Sequence, residues 1–187
     1  MKFKQLAIPT LVLLMICLVA TGLLALTNRV TAPIIAELDA QSELKTRGLV
    51  LPGAVSYSDN LVTDAQSEDA CYRALDAQGK CIGIIAVTQS KGYGGAVRVM
   101  VGVDTAGKVA GVKPLILNET PGLGMKAQDE SFLSRFTGKM AGIGLVKNSP
   151  GENEVQAITG ATITSKAMTD SVNQALALFE KFGKEGQ

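Results

Sequence analysis

The feature that most constrains this chain is a long uncharged run near its amino terminus. No Asp, Glu, Lys or Arg occurs from Gln5 to Asn28, and most residues of the run are aliphatic. About 20 consecutive apolar residues are enough for an α-helix to cross the hydrocarbon core of a bilayer. The sequence therefore predicts a transmembrane anchor at residues 1–28.

A cleaved signal peptide is the alternative interpretation of this run. A signal peptide would have a shorter apolar region and an A-x-A-like cleavage site, and Ala-Leu-Thr at 25–27 does not fit that pattern. Lys2 and Lys4 precede the run, whereas only Arg29 follows it closely. Because positive charge favours the cytoplasmic side, we expect an uncleaved single-pass anchor with the carboxy-terminal domain on the outer side.

Composition excludes several kinds of chemistry. The chain has 187 residues, of which 47% are hydrophobic and 19% charged, as expected for about one globular domain. It has no histidine, which removes the Ser-His-Asp arrangement and the usual zinc ligands, and three cysteines cannot supply the four thiolates of an iron-sulfur cluster. A net charge of +1 and 4% aromatic residues argue against nucleic-acid binding. We therefore expect no metal and no nucleic-acid partner.

A connecting helix is predicted directly after the anchor. Apolar residues recur at roughly helical intervals through residues 29–52, until Pro52-Gly53 ends the pattern. A solvated stalk and a helix that docks to a partner are both compatible with this pattern. The remaining residues, 53–187, are predicted to form the folded domain.

The folded domain is predicted to be α+β, with an antiparallel β-rich core and flanking helices. Short apolar or alternating runs separated by turn residues predict strands at 69–75, 81–89, 95–104 and 109–117. Two connections, DAQG at 76–79 and DTAG at 104–107, place Asp first and Gly fourth, as type I hairpin turns prefer. Helices are predicted at 128–136 and 165–182, the second with an apolar stripe that can cover a sheet.

The first of these turns bears on whether two cysteines pair. If residues 76–79 form the turn, Cys81 lies opposite position 74 or 75, and Cys71 lies three or four residues further along the strand. That separation exceeds the Cα limit of about 7 Å for a disulfide. We expect two unbridged thiols.

Two glycine-containing stretches are candidates for a binding site. SKGYGG at 90–95 places three glycines around Tyr93, and NETPGLGMK at 118–126 combines two glycines and a proline in a turn. Glycines allow a ligand to approach the backbone closely, although a plain loop also explains the first stretch. In the second, hydroxyl and apolar side chains suit an amphiphilic ring; the residues of interest are Glu119, Thr120 and Leu123.

A third stretch, ITGATITSKA at 158–167, collects hydroxyl groups at the start of the last predicted helix. The hydroxyls belong to Thr159, Thr162, Thr164 and Ser165. A hydroxyl nucleophile normally needs a base, and the most common one is missing from this chain. The helix start would favour a phosphate, to which Lys166 could add a charge. The alternative is that the hydroxyls only cap the helix.

One amino-terminal span followed by GYGG, ETPGLG and TGATITS resembles the FMN-binding domain family of the respiratory complexes, specifically the G subunit (RnfG) of the Rnf ion-translocating oxidoreductases. The resemblance covers nearly the whole chain. It implies FMN bound covalently, through its phosphate, to the last Thr of [S/T]-G-A-T, here Thr162, by a separate flavin transferase. It also implies that Thr159, Gly160, Ala161 and Lys166 surround the phosphate, and that Glu119, Thr120, Leu123 and Tyr93 form the ring site or its loop.

The function implied by the resemblance is electron transfer. The chain would be a redox-carrying subunit rather than a stand-alone catalyst, and its partners would be the other membrane and iron-sulfur subunits of the Rnf complex. That complex couples electron transfer between ferredoxin and NAD to the movement of sodium or protons. The family's transferase signature usually has Asp three residues before [S/T]-G-A-T, where this chain has Gln156.

Two other functions stay open at this stage. The C subunit of the sodium-translocating NADH:quinone oxidoreductase shares the flavin motif, although its chain is usually longer. A flavin-free anchored binding or assembly protein would also carry the anchor, with threonines that only cap a helix.

The topology can be tested with reporter fusions at the carboxy terminus. Because Lys2 and Lys4 precede the apolar run, an alkaline phosphatase fusion should be active and a cytoplasmic reporter at the same position inactive. The opposite pair of activities would reverse the assignment.

Overall fold

The computed structural model describes residues 2–62 and 68–183 of the chain. Its first element, helix α1, spans Lys2–Val50 and passes through Pro9 and Pro33 without interruption. Within α1, Ala7–Ile35 is apolar and long enough to cross a membrane, and it is the one such helix in the described part of the chain. The prediction of a helix that could span the membrane is therefore confirmed.

The predicted anchor and connecting helix form one continuous helix. No break separates residues 28 and 29, and the helix ends at Val50, two residues before the predicted end. The chain divides into two compact units, Met1–Glu43 and Leu44–Gln187, so the last turns of α1 belong to the second unit. The predicted domain boundaries after residues 28 and 52 stay predictions.

A five-stranded antiparallel sheet forms the centre of the second unit. Its strands follow one another in chain order; they are β1 (Ser56–Tyr57), β2 (Ala70–Leu75), β3 (Cys81–Lys91), β4 (Ala96–Asp104) and β5 (Val109–Leu117). The last four match the predicted strands to within two residues. Strand β1 was missed because two residues carry no recognisable alternation.

The two Asp-x-x-Gly turns have the predicted geometry. The Gly79 N–H donates to the Asp76 carbonyl O at 3.1 Å, and the Gly107 N–H donates to the Asp104 carbonyl O at 3.0 Å. Both glycines have φ of 78°, which residues other than glycine rarely adopt. These turns fix the β2–β3 and β4–β5 hairpins.

Helical segments and a small second sheet follow β5. Helix α2 (Glu130–Leu133) has 3₁₀ turns on both sides, at Gly124–Gln128 and Ser134–Phe136, so the predicted helix at 128–136 is present in irregular form. Strands β6 (Gly144–Val146) and β7 (Glu154–Gln156) form a parallel pair that the sequence pattern did not predict. Helix α3 spans Thr162–Phe182 and begins three residues before the predicted start.

The main core lies between α3 and one face of the sheet. The apolar stripe predicted for α3 is buried there against strands β3 and β4; its members are Met168, Val172, Ala175, Leu176 and Phe179. A second, smaller cluster on Ile85 and Met100 includes Val50 and Leu51. The two clusters cover opposite faces of the sheet, so neighbouring residues of β3 such as Ile84 and Ile85 are both buried. The α+β prediction is confirmed.

Cys71 and Cys81 are both free thiols, as predicted. Cys81 lies opposite Leu75, whereas Cys71 lies opposite Ala86 further along the same hairpin. Cys71 is fully buried, and burial raises the pKa of its thiol from 9.0 to about 12, partly offset by the positive charge of Arg73. The neutral thiol is therefore the form that the folded domain stabilises.

This burial predicts a loss of stability in alkaline solution. As the pH rises above 9.0, the unfolded chain loses the Cys71 proton first, because the folded-state pKa is about 12. The free energy of unfolding of the wild type relative to Cys71→Ala should be constant below that pH. Above it, the difference should fall by about 1.4 kcal/mol per pH unit.

Chemical denaturation of the full chain in detergent at a series of pH values measures this difference. Cys81→Ala, which keeps Cys71, is the matched control and should follow the wild type. Parallel curves for wild type and Cys71→Ala at high pH would contradict the prediction.

Candidate functional site

The three sequence motifs meet at one open cleft. Its volume is about 610 Å³, within the range of small-molecule sites. The residues that line it are Tyr93, Glu119, Thr120, Leu123, Gly124, Gly160, Ala161, Thr162, Ile163 and Thr164. Residues that are distant in the sequence therefore form a single site.

The topology explains why the motifs meet. Strands β3 and β5 flank β4 and both run antiparallel to it, so they end at the same edge of the sheet. The loop at residues 92–95 follows β3, and the ETPGLG loop follows β5. Helix α3 packs across β3 and β4, and its first turn lines the cleft together with these two loops.

The carboxylate of Glu119 connects the two loops. Oε1 accepts a hydrogen bond from the Tyr93 N–H at 2.8 Å, and Oε2 accepts one from the Gly94 N–H at 3.4 Å. The Gly92 N–H also donates to the Gly95 carbonyl O at 2.7 Å, which closes the loop as a turn. Glu119 is only 8% exposed although it lines the cleft.

Packing inside the protein explains the glycines of these loops. A Cβ at Gly92 would overlap Glu119 Oε1, and a Cβ at Gly94 would overlap the Asn118 carbonyl O. At Gly124 a Cβ would lie 2.9 Å from Glu119 Oε2. The close approach that these glycines allow is therefore to the protein's own chain, where the sequence had suggested a ligand.

The TGAT stretch forms the turn into α3. Gly160 has φ of 80°, and a Cβ there would lie 3.1 Å from the Leu123 side chain. Ser165 Oγ accepts the Ile158 N–H at 2.9 Å and donates to the Ala161 carbonyl O at 2.9 Å. This buried hydroxyl holds the turn against the first turn of the helix.

No hydroxyl caps α3. Its N-cap residue is Ala161, and the cap makes no side-chain hydrogen bond. Thr164 and Ser165 are buried, whereas Thr162 is exposed at the first residue of the helix. The capping interpretation therefore does not account for Thr162.

Two of the predicted phosphate neighbours lie outside the cleft. Thr159 lines adjacent depressions, one of which it shares with Lys147 and Thr162. Lys166 is exposed and forms an ion pair with Asp170 at 2.7 Å. The proposed roles of Thr159 and Lys166 stay predictions.

The sequence interpretation missed three residues of the cleft, Gly124, Ile163 and Thr164. All three lie inside the ETPGLG and TGATITS motifs, so the motifs themselves were the available signal. Gln156, at the signature position usually held by Asp, uses its side-chain N–H to donate to the Lys147 carbonyl O at 3.1 Å.

Comparison with known proteins agrees with the fold and the cleft. The FMN-binding domain family matches residues 92–177, and the RnfG N-terminal region matches residues 1–48. The fold resembles the crystal structure of Shewanella oneidensis NqrC, with a TM-score of 0.56 and 22% identity over 71% of each chain.

Two relatives match over most of their length. The G subunit of the Na(+)-translocating ferredoxin:NAD(+) oxidoreductase complex of Acetobacterium woodii is 36% identical over 93% of this chain and 91% of its own. The G subunit of the proton-translocating ferredoxin:NAD(+) oxidoreductase complex of Clostridium ljungdahlii is 34% identical over 86% of this chain and 84% of its own.

The fold, the cleft and the matched region define an FMN-binding domain that follows an amino-terminal apolar helix. Within that class, the chain belongs to the RnfG family, the G subunits of the Rnf ion-translocating oxidoreductases. The family resemblance predicted from the motifs is confirmed.

The role of Ser165 in the TGAT turn can be tested by mutation. Ser165→Ala removes a fully buried hydroxyl and leaves the Ile158 N–H without its partner. The free energy of unfolding should fall by about 1–3 kcal/mol, the cost of an unsatisfied polar group. Thr162→Ser keeps the exposed hydroxyl at the start of the helix and should stay within about 0.5 kcal/mol of the wild type. Urea unfolding measures the free energy of unfolding of both variants. Equal values for Ser165→Ala and Thr162→Ser would contradict the structural role of Ser165.

Proposed function

We propose that this chain is an electron-carrying subunit that holds FMN through a phosphate ester to the side-chain oxygen of Thr162. One observation carries the proposal: the exposed Thr162 lies at a cleft formed by all three motifs, while its neighbours Thr164 and Ser165 are buried. Of the four hydroxyls in that stretch, Thr162 therefore combines access to solvent with access to the cleft.

The residues of the cleft fit both ends of FMN. Thr162 is the first residue of a 21-residue helix without a side-chain cap, and the N–H groups at a helix start favour a phosphate. Three side chains with large exposed fractions offer apolar surface to a flat ring: Tyr93 at 73%, Leu123 at 45% and Ile163 at 53%. A volume of about 610 Å³ is adequate for a cofactor of this size.

The protein's part in the chemistry is to hold and shield the cofactor. FMN, when bound, supplies reversible acceptance of electrons. Thr162 provides the attachment oxygen, and the positive end of α3 lowers the cost of placing a negatively charged phosphate there. Tyr93 and Leu123, which line the cleft, would shield part of the ring from water. Since the sequence has no histidine, we assign the activation of the Thr162 hydroxyl to a separate flavin transferase.

The partners that we propose are the membrane and iron-sulfur subunits of an Rnf complex. The two relatives are named as subunits of such complexes, one sodium-translocating and one proton-translocating. Membership of the family is therefore compatible with either ion. The apolar helix would anchor the chain in a bacterial inner membrane, with the flavin domain on the outer side.

The C subunit of the sodium-translocating NADH:quinone oxidoreductase is the nearest alternative. The NqrC structure shares the fold at 22% identity, whereas the RnfG relative from Acetobacterium woodii is 36% identical across most of this chain. The match of residues 1–48 to the RnfG N-terminal region also favours the Rnf assignment. A flavin-free anchored protein is the second alternative, and it predicts no flavin on the chain.

The attachment site can be tested by co-expression with a flavin transferase. The wild type should gain the mass of FMN less one water, and the tryptic peptide that contains AITGATITSK should fluoresce. Thr162→Ala removes the ester oxygen, so fluorescence on a denaturing gel should be lost completely. Reversible FMN binding in the cleft can persist because its other contacts remain.

Two neighbouring threonines provide matched controls. Thr159→Ala changes a hydroxyl outside the cleft, and Thr164→Ala changes a buried one. Both variants should keep the covalent flavin. Wild-type protein without added mass, or fluorescent Thr162→Ala after denaturation, would refute the attachment site.

A further inference from the structure

We propose that Glu119 is a positioning residue that holds Tyr93 at the rim of the cleft, acting through the turn at residues 92–95. The role in flavin binding rests on the function proposed above. The contacts of Glu119 with the turn are a property of the chain itself and can be tested without flavin.

The Glu119 carboxylate contacts the backbone of the turn at residues 92–95. It accepts the Tyr93 N–H at 2.8 Å and the Gly94 N–H at 3.4 Å, so both bonds go to consecutive backbone groups. Hydrogen bonds to a charged acceptor are roughly twice as strong as neutral ones. Glu119 itself is 8% exposed, which leaves its carboxylate little freedom to turn toward solvent.

Tyr93 depends on this support for its position. Its side chain is 73% exposed, so packing against the rest of the protein restrains the ring only weakly. The backbone of the turn therefore sets the point and direction from which the ring projects. That backbone is fixed by Glu119 and by the bond from the Gly92 N–H to the Gly95 carbonyl O at 2.7 Å.

The space around the carboxylate is shaped by two glycines from different loops. A Cβ at Gly92 would overlap Glu119 Oε1, and one at Gly124 would lie 2.9 Å from Oε2. A Cβ at Gly95, by contrast, would meet nothing within 4 Å. The turn therefore contains both a position that should displace Glu119 and a matched position that should not.

Three variants of the full chain test the proposal. Glu119→Gln keeps the shape of the side chain but replaces one acceptor oxygen by a donor group, which cannot accept a backbone N–H. Gly92→Ala displaces the carboxylate without changing its chemistry, although its Cβ would also lie 2.7 Å from Val97 Cγ2 and 3.0 Å from the Gly95 carbonyl O. Gly95→Ala is the control. Two independent routes to the same defect keep the test decisive if one variant fails to fold.

The first measurement is hydrogen exchange of the 92–95 turn in flavin-free protein. Glu119→Gln and Gly92→Ala should exchange about tenfold faster than the wild type at Tyr93 and Gly94. The Gln side chain loses one of the two hydrogen bonds and the charge on the acceptor of the other, and the Gly92→Ala change displaces both acceptor oxygens. Gly95→Ala should exchange like the wild type. Unchanged exchange in the first two variants would overturn the proposal.

The second measurement is the fluorescence yield and midpoint potential of covalently bound flavin in the native protein. Glu119→Gln and Gly92→Ala should shift both quantities, whereas Gly95→Ala should not. In a Tyr93→Ala background the same changes should have no further effect, since a residue that acts through Tyr93 is coupled to it. A shift that persists without Tyr93 would overturn the positioning role and assign Glu119 a direct effect on the flavin.

The two measurements separate this proposal from the proposed function. If the wild type carries no flavin but exchange rises in Glu119→Gln, the flavin function fails and the contact between Glu119 and the turn stands. If the wild type is flavinylated and exchange is unchanged, the flavin function stands and the positioning role fails.

Discussion

Burial of α3 against strands β3 and β4 is the interaction on which the candidate site depends. The apolar stripe of α3 covers one face of the sheet, and the Thr88 hydroxyl of β3 donates to the Ser171 carbonyl O at 2.8 Å within that interface. A buried hydrogen bond of this kind is costly to break, so it helps to set the position of α3 along the strands. The position of the first helical residue, Thr162, follows from that register.

The polar groups around the cleft are of two kinds: some are buried and hydrogen-bonded within the protein, and others are exposed and free to contact a ligand. The Glu119 carboxylate and the Ser165 hydroxyl are buried, and each is bonded to the backbone of a loop that shapes the cleft. The start of α3 has no side-chain cap, although a cap would stabilise a helix by about 1 kcal/mol. A helix start left uncapped beside an exposed hydroxyl favours an external anion, which is the feature that a phosphate-linked cofactor needs.

The amino-terminal helix is constrained by its exposed apolar surface. In Ala7–Ile35 the apolar side chains are exposed, and none of that segment is buried within the protein. Such a surface is unfavourable in water, where large exposed apolar patches mark interaction sites or cause aggregation. A bilayer would resolve this conflict, because helical hydrogen bonding satisfies the backbone while lipid would cover the side chains.

The amino-acid sequence alone determined the elements whose signals are local. The apolar run, the four long strands, the Asp-x-x-Gly turns and the stripe of α3 could be predicted because each depends on neighbouring residues. The motifs also identified the family. The sequence did not predict the β6–β7 pair, whose three-residue strands join only through non-local contacts.

Only the tertiary structure decided which side chains act together. It buried Thr164 and Ser165 and left Thr162 exposed at the cleft. It also showed that the glycines around Glu119 make room for a carboxylate. The physical reason is that burial and contact depend on how α3 and the strand ends meet, and residues far apart in the sequence determine that arrangement.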